Sequence, residues 1–535
     1  DLIVGSGWPF GSEDLAEEEW SQIVVIAVKK LTGPLIHSVS RDEIFLEAGP
    51  AVSSPWHGRK HTLLSLLLVP DPLSSADEIT DRSDRRDEEY FDLFIPEGDH
   101  ALYALVQVSG FMEVINGAPG ASGPVLDHYN EAAVRRYLEE MSGAIEPVTG
   151  PLSNYLRALF TDSMELEGSN WTGDMREEFS RRRGYDIFPF LPFVLFRTGS
   201  MGNITDWSYG AESGPAFRNM ISRMRYDFET TKAELLEERF LKSFARWCSD
   251  LGVRSRMQAY GRGFFPLESC MAVDIPEGES WTMYWLKHRI GEEMPEKDYR
   301  RGRAYTMVNK YVSSAAHLAG KRLISCEEMT DTYTVFNTSL ENLKMGSDQS
   351  IISGMTHSVF HGFNYSPPEA PWPGWIRYGG YFNENNNWWP YFNLLNDYKA
   401  RLSALLKNCD MYAGIALLPP TADMWSLIGM QNEPFPSVLH AEHLSLVWEA
   451  IAKNGSGCDY ISERILQDAT VAGRKLCYGP KKYHTLLLVS VESLSPESAR
   501  KLLQFVRAGG RVFCIDTVPS KSTGWSDHER NDANV

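Results

Sequence analysis

The pattern of apolar and polar positions changes twice along the chain. Up to about residue 110, apolar runs of six or seven residues alternate with long polar stretches, which is typical of strands joined by solvated loops. From about residue 111, short apolar runs alternate with helical patterns; Val134, Leu138 and Met141 share one helical face. The strand–helix alternation starts afresh near residue 410. Such alternation predicts an α/β protein with parallel sheets.

These changes divide the chain into four segments. A (β/α)8-type barrel accounts for the long middle segment, and an early β-rich insertion separates its first strand from the rest. A doubly wound α/β domain, flavodoxin- or amidotransferase-like, follows it and is expected to be truncated. The predicted segments are 1–19 (first barrel strand and turn), 20–110 (insertion), 111–409 (barrel) and 410–535 (α/β domain).

Composition excludes several classes of partner. The net charge of −19 argues against nucleic acid and against an anionic membrane surface. No apolar run reaches the length that membrane insertion requires. Neither a Gly-x-Gly-x-x-Gly nor a Walker motif is present, so we expect no organic cofactor. The seven cysteines lack the spacing of a zinc site. The sequence does not predict an oligomeric state.

The amino terminus resembles the middle of a strand rather than a leader. It lacks the basic and apolar regions of a signal peptide, and we interpret the chain as a piece of a longer protein. The expected location is secreted or periplasmic, with the cytoplasm as the alternative.

Polar or aromatic residues follow five predicted strands. In a barrel, the loops after the strands meet at one face, where the active site lies. The predicted site therefore collects residues from five loops: Gly5–Trp8, Asp162–Glu165, Ala259–Arg262, Cys326–Glu328 and His357–Tyr365.

Two of these loops carry glutamates suited to glycoside hydrolysis. Glu165 and Glu327 follow different strands, and this chemistry needs one carboxyl group that holds a proton and one that activates water or attacks. The alternative is that both are surface residues in the first turn of a helix, where acidic side chains favour the dipole. Glu328 competes with Glu327, because only one of the two can point into the barrel.

Other side chains are candidates for holding sugar hydroxyls or stacking on a sugar ring. The histidines at i and i+4 lack an HExxH pattern, so we expect hydroxyl binding rather than zinc. The tryptophans lie in a long loop, and the alternative is an aromatic cluster that pins this loop. The predicted substrate-binding residues are Asp162, Asn170, Trp171, Tyr260, Arg262, His357, His361, Asn364, Trp388 and Trp389.

The acidic segment 273–281 reads as a tight loop. Its carboxylates could orient sugar hydroxyls or bind calcium, a hard cation that prefers oxygen ligands. The alternative is a plain surface loop. The sequence gives no set of metal ligands.

An ordered series of motifs resembles the alpha-L-rhamnosidases of glycoside hydrolase family 106. The resemblance covers most of residues 1–410, and the unit after 410 is similar to the domain that follows the barrel in many such glycosidases. The motifs are GSGWPFG at 5–11, VLDHYNEAAVRRYLEEM at 125–141, TDSMELEGSNWT at 161–172, FSRRRGYD at 179–186, VDIPEGE at 273–279, SSAAHLAGKRLISCEEMT at 313–330, HGFNYSP at 361–367 and NNWWPYFNLLNDYKARLSALL at 386–406.

The resemblance implies an inverting glycosidase with a calcium ion near the substrate. Within Ser-x-Glu-x-x-Thr, Glu327 corresponds to the base, and within Asp-Ser-x-Glu, Glu165 corresponds to the acid. Inversion predicts that the two carboxyl groups lie about 6.5–9.5 Å apart. Two residues depart from the family pattern: Glu328 stands where a small residue is expected, and Arg262 where a neutral segment is usual.

The predicted function is therefore release of alpha-L-rhamnose or a related sugar from a polysaccharide or glycoconjugate. Two alternatives stay open. A catalytically inactive barrel could use the same aromatic residues to bind carbohydrate. A lyase or hydrolase acting on a uronic acid is the other, because Arg262 would favour a substrate carboxylate.

Overall fold

The computed structural model describes most of the chain. Of residues 262, 266, 296–306, 442, 443 and 445 the structure describes the backbone only, which lies in helices or strands. The described residues are 1–5, 10–48, 60–114, 122–166, 168–198, 204–262, 266–281, 296–330, 336, 338–372, 374, 379–429 and 442–535.

A six-stranded parallel sheet forms the centre of the molecule. Its strands are adjacent in the sheet in the same order as in the chain, and every pair is parallel. This order makes a curled half-barrel, and the described residues contain six of the eight strands that the predicted barrel requires. The strands are β1 (Leu2–Gly5), β2 (Ala158–Thr161), β3 (Arg254–Met257), β4 (Ile275–Trp281), β5 (Ser325–Thr330) and β6 (His357–Phe360).

Helices connect these strands and cover the sheet. Asn130 caps the first of them as its sequence predicts, because its side chain accepts a hydrogen bond of 3.2 Å from the backbone of Ala133. Gly184 ends another in the left-handed conformation, with φ of 82°. The helices are Glu131–Thr149, Met175–Arg183, Leu191–Val194, Pro215–Leu236, Lys242–Asp250, Pro266–Ala272, Glu296–Leu318, Leu340–Ile352 and Phe392–Leu406, with a π turn at Glu237–Leu241 and 3-10 turns at Leu152–Asn154, Phe188–Phe190 and Trp389–Tyr391.

The β-rich segment between β1 and β2 is an antiparallel sheet. Gln22–Ser40 pairs with Tyr90–Ser109, which pairs with Lys60–Pro70, and the short strand Thr80–Asp81 lies at the edge. Alternate residues face two different cores, because Leu67 packs toward the central sheet whereas Leu66 packs in a cluster with the helix Arg41–Ala48. Its 3-10 turns are Glu17–Glu19, Ala76–Glu78 and Ser83–Arg85.

The carboxyl-terminal unit contains a second parallel sheet, whose strands stand in the chain order 2-1-3-4. Ser495 caps one helix as predicted, accepting from Ser498 N at 3.2 Å, with Pro496 in the first turn. In sheet order the strands are Cys458–Tyr460, Ile415–Leu418, Thr485–Val489 and Arg511–Ile515; an antiparallel sheet comprises Thr470–Ala472, Lys475–Tyr478 and Lys481–Tyr483; the helices are Thr421–Ile428, Glu442–Lys453, Glu463–Asp468, Pro496–Arg507 and His528–Asp532.

Two elements differ from the sequence prediction. The sequence predicts that Glu327 follows a strand, but the strand spans Ser325–Thr330, so Glu327 lies inside it. The segment expected to be a loop at 273–281 contains β4, in which six of the seven residues are buried. Both strands carry acidic side chains toward the interior, so the apolar signal of a buried strand is missing.

The predicted segment boundaries at residues 19, 110 and 409 remain predictions. Two minor sheets pair Met164–Glu165 with Gly261–Arg262 and Arg197–Thr198 with Ile204–Asp206. None of the described helices combines the length and hydropathy needed to cross a membrane.

Candidate active site

Strands β4 and β5 bring buried glutamates together inside the half-barrel. Glu277 and Glu279 are two positions apart on β4, so they project from the same face of the sheet. Glu327 on β5 stands directly beside Glu279 in the strand register. The exposed fractions are 0% for Glu277, 7% for Glu279 and 9% for Glu327.

Asp162 and Glu165 reach the same region from the end of β2. Asp162 continues that strand, since its backbone N–H donates to Gly5 O of β1 at 3.0 Å. Burial raises the pKa of Asp162 well above its ordinary value, and the negative charges of Glu327, Glu277 and Glu165 raise it further. The carboxyl groups that affect Asp162 therefore come from β4, from β5 and from the segment after β2.

The pKa of Glu279 is affected by several of the same carboxyl groups. Burial raises its pKa well above the ordinary value, and the charges of Glu327, Asp162 and Glu165 add to the shift. We call Asp162, Glu165, Glu279 and Glu327 the carboxylate cluster. Within this cluster, Asp162 and Glu279 therefore hold their protons to higher pH than isolated carboxyl groups do.

A short parallel pairing holds Glu165 in place. Met164–Glu165 pairs with Gly261–Arg262, and Met164 N donates to Tyr260 O at 2.9 Å. Gly261 has a φ of 121°, and a Cβ there would lie 2.4 Å from Met164 O. Only glycine permits this approach. The side chain of Arg262 lies outside the described residues.

Three side chains contact the carboxylate of Glu327. Thr330 Oγ1 donates to Oε1 at 3.1 Å, Gln258 Nε2 donates to Oε2, and His361 Nδ1 lies 3.2 Å from Oε1. His361 was predicted to bind substrate directly, and the structure places it against the predicted base. Together these contacts fix the orientation of Glu327.

Gln258 is a residue that sequence reasoning missed. Its Nε2 donates to Glu327, and its Oε1 accepts from Tyr260 OH at 2.8 Å. Tyr260, a predicted substrate-binding residue, is fully buried and lies behind Gln258. The available signal was spacing, because residues 256, 258 and 260 alternate at the end of β3 and share its interior face.

Glu328 points away from the carboxylate cluster. Lys399 Nζ lies 3.0 Å from its Oε1, Ser358 Oγ donates to the same oxygen at 3.0 Å, and Ser347 Oγ donates to Oε2. These partners belong to β6 and to the helices packed outside the sheet. Adjacent residues of a strand face opposite ways, so Glu327 is the interior residue of the pair.

Glu277 lies in a separate ion pair deeper in the half-barrel. Arg256 Nε donates to its Oε2 at 2.5 Å, and Arg256 Nη1 lies 3.1 Å from the carboxylate of Asp1. The guanidinium also stacks over the ring of Phe160 at 4.2 Å. Glu277 is therefore neutralised by a structural partner.

Asn170 and Trp171, which the sequence predicts as sugar ligands, make contacts with the antiparallel sheet. Asn170 Oδ1 accepts from Val24 N at 2.7 Å, and its Nδ2 donates to Val24 O at 3.1 Å. Trp171 forms a bridge with Gln22 and is 6% exposed. Because the amide of Asn170 imitates a strand partner, these residues join the antiparallel sheet to the central one.

The two tryptophans predicted to stack on a sugar ring, Trp388 and Trp389, both pack against neighbouring aromatic residues. Trp388 is 8% exposed, donates to Thr338 O at 2.8 Å and packs against Phe382 and Phe392, so the loop-pinning alternative applies to it. Trp389 is half-buried and stacks on Phe392 at 5.4 Å.

Asn364 and His357 are also explained by local structure. Asn364 Oδ1 accepts from Tyr381 N at 3.0 Å, which closes the loop after β6. His357 is the first residue of β6, at the opposite end of the sheet from the carboxylate cluster. Burial, with Arg157 nearby, lowers the pKa of His357 to about 4.

Carboxyl oxygens are the donor type that calcium prefers. However, no three Asp, Glu, His or Cys side chains within the described ranges are placed to hold one metal ion together. Among the described residues, side chains alone therefore form no calcium site.

Known proteins resemble this chain in sequence and in fold. The family model of glycoside hydrolase family 106, described as alpha-L-rhamnosidase, matches residues 115–534. A protein of Formosa agariphila named putative beta-glucuronidase is 24% identical over 447 residues, which are 82% of this chain and 33% of that protein. The rhamnosidase structure from Novosphingobium sp. PP1Y is 17% identical and superposes with a TM-score of 0.62, covering 98% of this chain and 62% of that one.

The matched part of this chain corresponds to about a third of the Formosa agariphila protein and to under two thirds of the Novosphingobium rhamnosidase. At 17% identity the structural likeness shows a shared fold, while the family match covers well over half of the chain. The resemblance seen in the sequence is confirmed, and the chain belongs to glycoside hydrolase family 106.

Proposed function

We propose that the chain is a catalytic part of an inverting glycosidase that releases alpha-L-rhamnose or a related sugar from a polysaccharide or glycoconjugate. The observation that carries the proposal is the placement of Glu327, oriented by Gln258, Thr330 and His361 and facing further carboxyl groups from β2 and β4. An inactive carbohydrate-binding barrel would gain nothing from burying several mutually repelling carboxyl groups.

In this mechanism Glu327 removes a proton from the attacking water. Its three contacts fix the direction of the carboxylate, so water is activated from one side of the sugar ring only. Glu165, half-buried on its short strand, donates a proton to the leaving oxygen. Burial and the neighbouring carboxyl groups raise the pKa of Asp162 and Glu279, which favours a proton held next to the base.

The same proposal includes a closed barrel, a flavodoxin-like second domain and a secreted or periplasmic location. The sequential order of β1–β6 supports a closed (β/α)8-type barrel, and the 2-1-3-4 order of the second sheet supports a flavodoxin-like domain. A polysaccharide substrate fits a secreted or periplasmic enzyme. Calcium stays a prediction, and loss of activity on chelation that calcium alone restores would support it.

A uronic acid is the second candidate substrate. The Formosa agariphila relative carries the name putative beta-glucuronidase, and Arg262 follows β3 in the loop region beside Glu165. A guanidinium in that position would pair with a substrate carboxylate.

Proton NMR with aryl glycosides tests both candidates. An aryl alpha-L-rhamnoside should release the beta anomer first, and Glu327→Gln should abolish this release without altering the fold. Release of the alpha anomer first would contradict inversion. Turnover only of an aryl beta-D-glucuronide would move the specificity to uronides, and no turnover of either by a folded protein would contradict the proposed activity.

A further inference from the structure

A cavity separate from the carboxylate cluster lies between the carboxyl-terminal sheet and the helices outside the half-barrel. Its volume is about 340 Å³, within the range of small-molecule sites. The lining includes Leu418–Pro419, Ser462–Glu463 and Val491, and also Glu268 of the helix Pro266–Ala272. None of its lining residues belongs to the carboxylate cluster.

The position of the cavity follows from the topology of the second sheet. Three parts of the lining lie at the carboxyl ends of the first three strands of that sheet: Leu418–Pro419, Ser462–Glu463 and Val491. In the order 2-1-3-4 the chain reverses direction across the sheet between the first and third strands. Open α/β sheets bind ligands in the crevice at this switch point.

Arginine charges in the cavity are already compensated. Arg183 Nη2 lies 2.6 Å from Glu234, and Arg464 Nη1 lies 2.8 Å from Glu237. Among the described residues, the lining therefore offers no uncompensated cation for an anionic ligand, which argues against phosphate or a uronic acid.

Two further carboxyl groups supply hydrogen bonds. Glu268 Oε2 is buried without a hydrogen-bond partner among the described residues, and its other oxygen accepts from Ser462 Oγ. Glu463 accepts from the backbone N–H and the hydroxyl of Ser495, both at 2.8 Å. Burial raises the pKa of both glutamates, which favours their neutral form. A neutral carboxyl group can donate to and accept from hydroxyls.

An aromatic wall completes the cavity. Trp425 and Tyr226 line it, with ring centroids 6.3 Å apart and planes inclined by 34°. Both side chains are half-buried. Flat aromatic faces beside hydrogen-bonding groups match a ligand with an apolar face and a rim of hydroxyls.

We propose that this cavity is a second carbohydrate-binding site that takes a neutral mono- or disaccharide. The sugar ring packs on Trp425 and Tyr226, and its hydroxyls bond to Glu268 and Glu463. Both arginines in the described lining, Arg183 and Arg464, are paired with glutamates, which distinguishes the ligand from a uronic acid. The proposal concerns a site apart from the carboxylate cluster, so it does not depend on the proposed hydrolysis.

Fluorine NMR of protein labelled with 5-fluorotryptophan tests the site directly. The resonance of Trp425 is identified by its loss in Trp425→Phe, and L-rhamnose, D-galactose and D-glucuronate are then titrated. We expect a saturable shift of this resonance with a neutral sugar, in the unmodified sequence and in Glu327→Gln alike. Glu268→Ala should weaken the binding about tenfold, the effect of losing one strong hydrogen bond.

The control variant is Phe513→Ala, which truncates an exposed aromatic residue of the same unit outside the cavity. It should leave the titration unchanged. A Trp425 resonance that no neutral sugar moves would overturn the proposal, and a response to D-glucuronate alone would overturn the ligand class. Turnover of aryl glycosides is measured separately, so failure of the hydrolase proposal and failure of this site are distinguishable.

Discussion

At the scale of single residues, two adjacent glutamates have opposite surroundings. Glu327 faces the carboxylate cluster, where Gln258 and His361 orient it, whereas Glu328 is fully buried against Lys399. The sequence alone left this choice open, since nothing in SCEEMT tells which residue faces inward. The neighbours across the sheet decide it, and they are remote in the chain.

The two glutamates should therefore give opposite phenotypes. Glu327→Gln should lower kcat at least about 10²-fold, because the general base is lost, with little change in melting temperature. Glu328→Gln should destabilise the fold by about 3–5 kcal/mol, because Lys399 keeps a buried charge without its partner. Denaturant unfolding and aryl glycoside turnover of both variants check this, and equal loss of stability would contradict the assignment.

The carboxylate cluster also predicts how stability depends on pH. The pKa of Glu279 is raised in the folded state, so its contribution to stability is present below its unfolded value of 4.5 and is lost as pH rises through the folded value. Glu279→Gln removes this loss. The variant should gain melting temperature relative to the parent as pH rises above about 4.5.

Melting curves from pH 4 to pH 9 measure this difference, and Glu140→Gln, on an exposed helix surface, is the control. A constant offset across pH would show that Glu279 keeps its ordinary pKa. The aryl glycoside turnover of Glu279→Gln should fall over the pH range in which its melting temperature rises. The reason is that stability and function oppose each other in such a cluster.

At the scale of elements, the sequence predicts apolar strands and capped helices well. The strands of the antiparallel sheet and the caps at Asn130 and Ser495 were readable because hydrophobic burial and capping act locally. The apolar pattern does not predict β4, because Glu277 and Glu279 occupy interior positions where a core strand normally has apolar residues. Active sites break the local rules in this way.

The short pairing that carries Glu165 is an element whose geometry depends on one residue. Gly261→Ala would place a Cβ 2.4 Å from Met164 O at a φ of 121°. We expect Met164 and Glu165 to shift, with kcat reduced at least about tenfold, since small displacements of catalytic groups are costly. Gly143→Ala, in a helix where a Cβ meets no atom within 4 Å, is the matched control and should preserve kcat.

At the scale of the whole molecule, the carboxyl-terminal sheet is joined to the half-barrel through buried contacts. Asp459, at the first sheet edge, is fully buried; its oxygens lie 2.8 Å from His317 Nδ1 and accept from Tyr483 OH at 3.0 Å. Lys310 Nζ lies 3.5 Å away. Since His317 and Lys310 belong to the helix Glu296–Leu318, one carboxylate connects the two sheets through that helix.

This connection predicts a large effect from a small change. Burial alone would raise the pKa of Asp459, but the charges of His317, Lys310 and Lys481 hold it well below its usual range. Asp459→Asn leaves buried cations without their partner and should cost about 3–5 kcal/mol of unfolding free energy at pH 7. Asp410→Asn is the matched control, because its exposed pair with Arg322 also spans the two units and should contribute no measurable stability.

The pH dependence separates this ion network from simple packing. A depressed pKa contributes stability that is present above the unfolded value of 3.8 and is lost as pH falls through the folded value. The deficit of Asp459→Asn should therefore be largest near neutral pH and shrink in acid, whereas a packing defect would be independent of pH. If the deficit persists in acid, the two units are held together by their apolar contacts, and Asp459 only fills space between them.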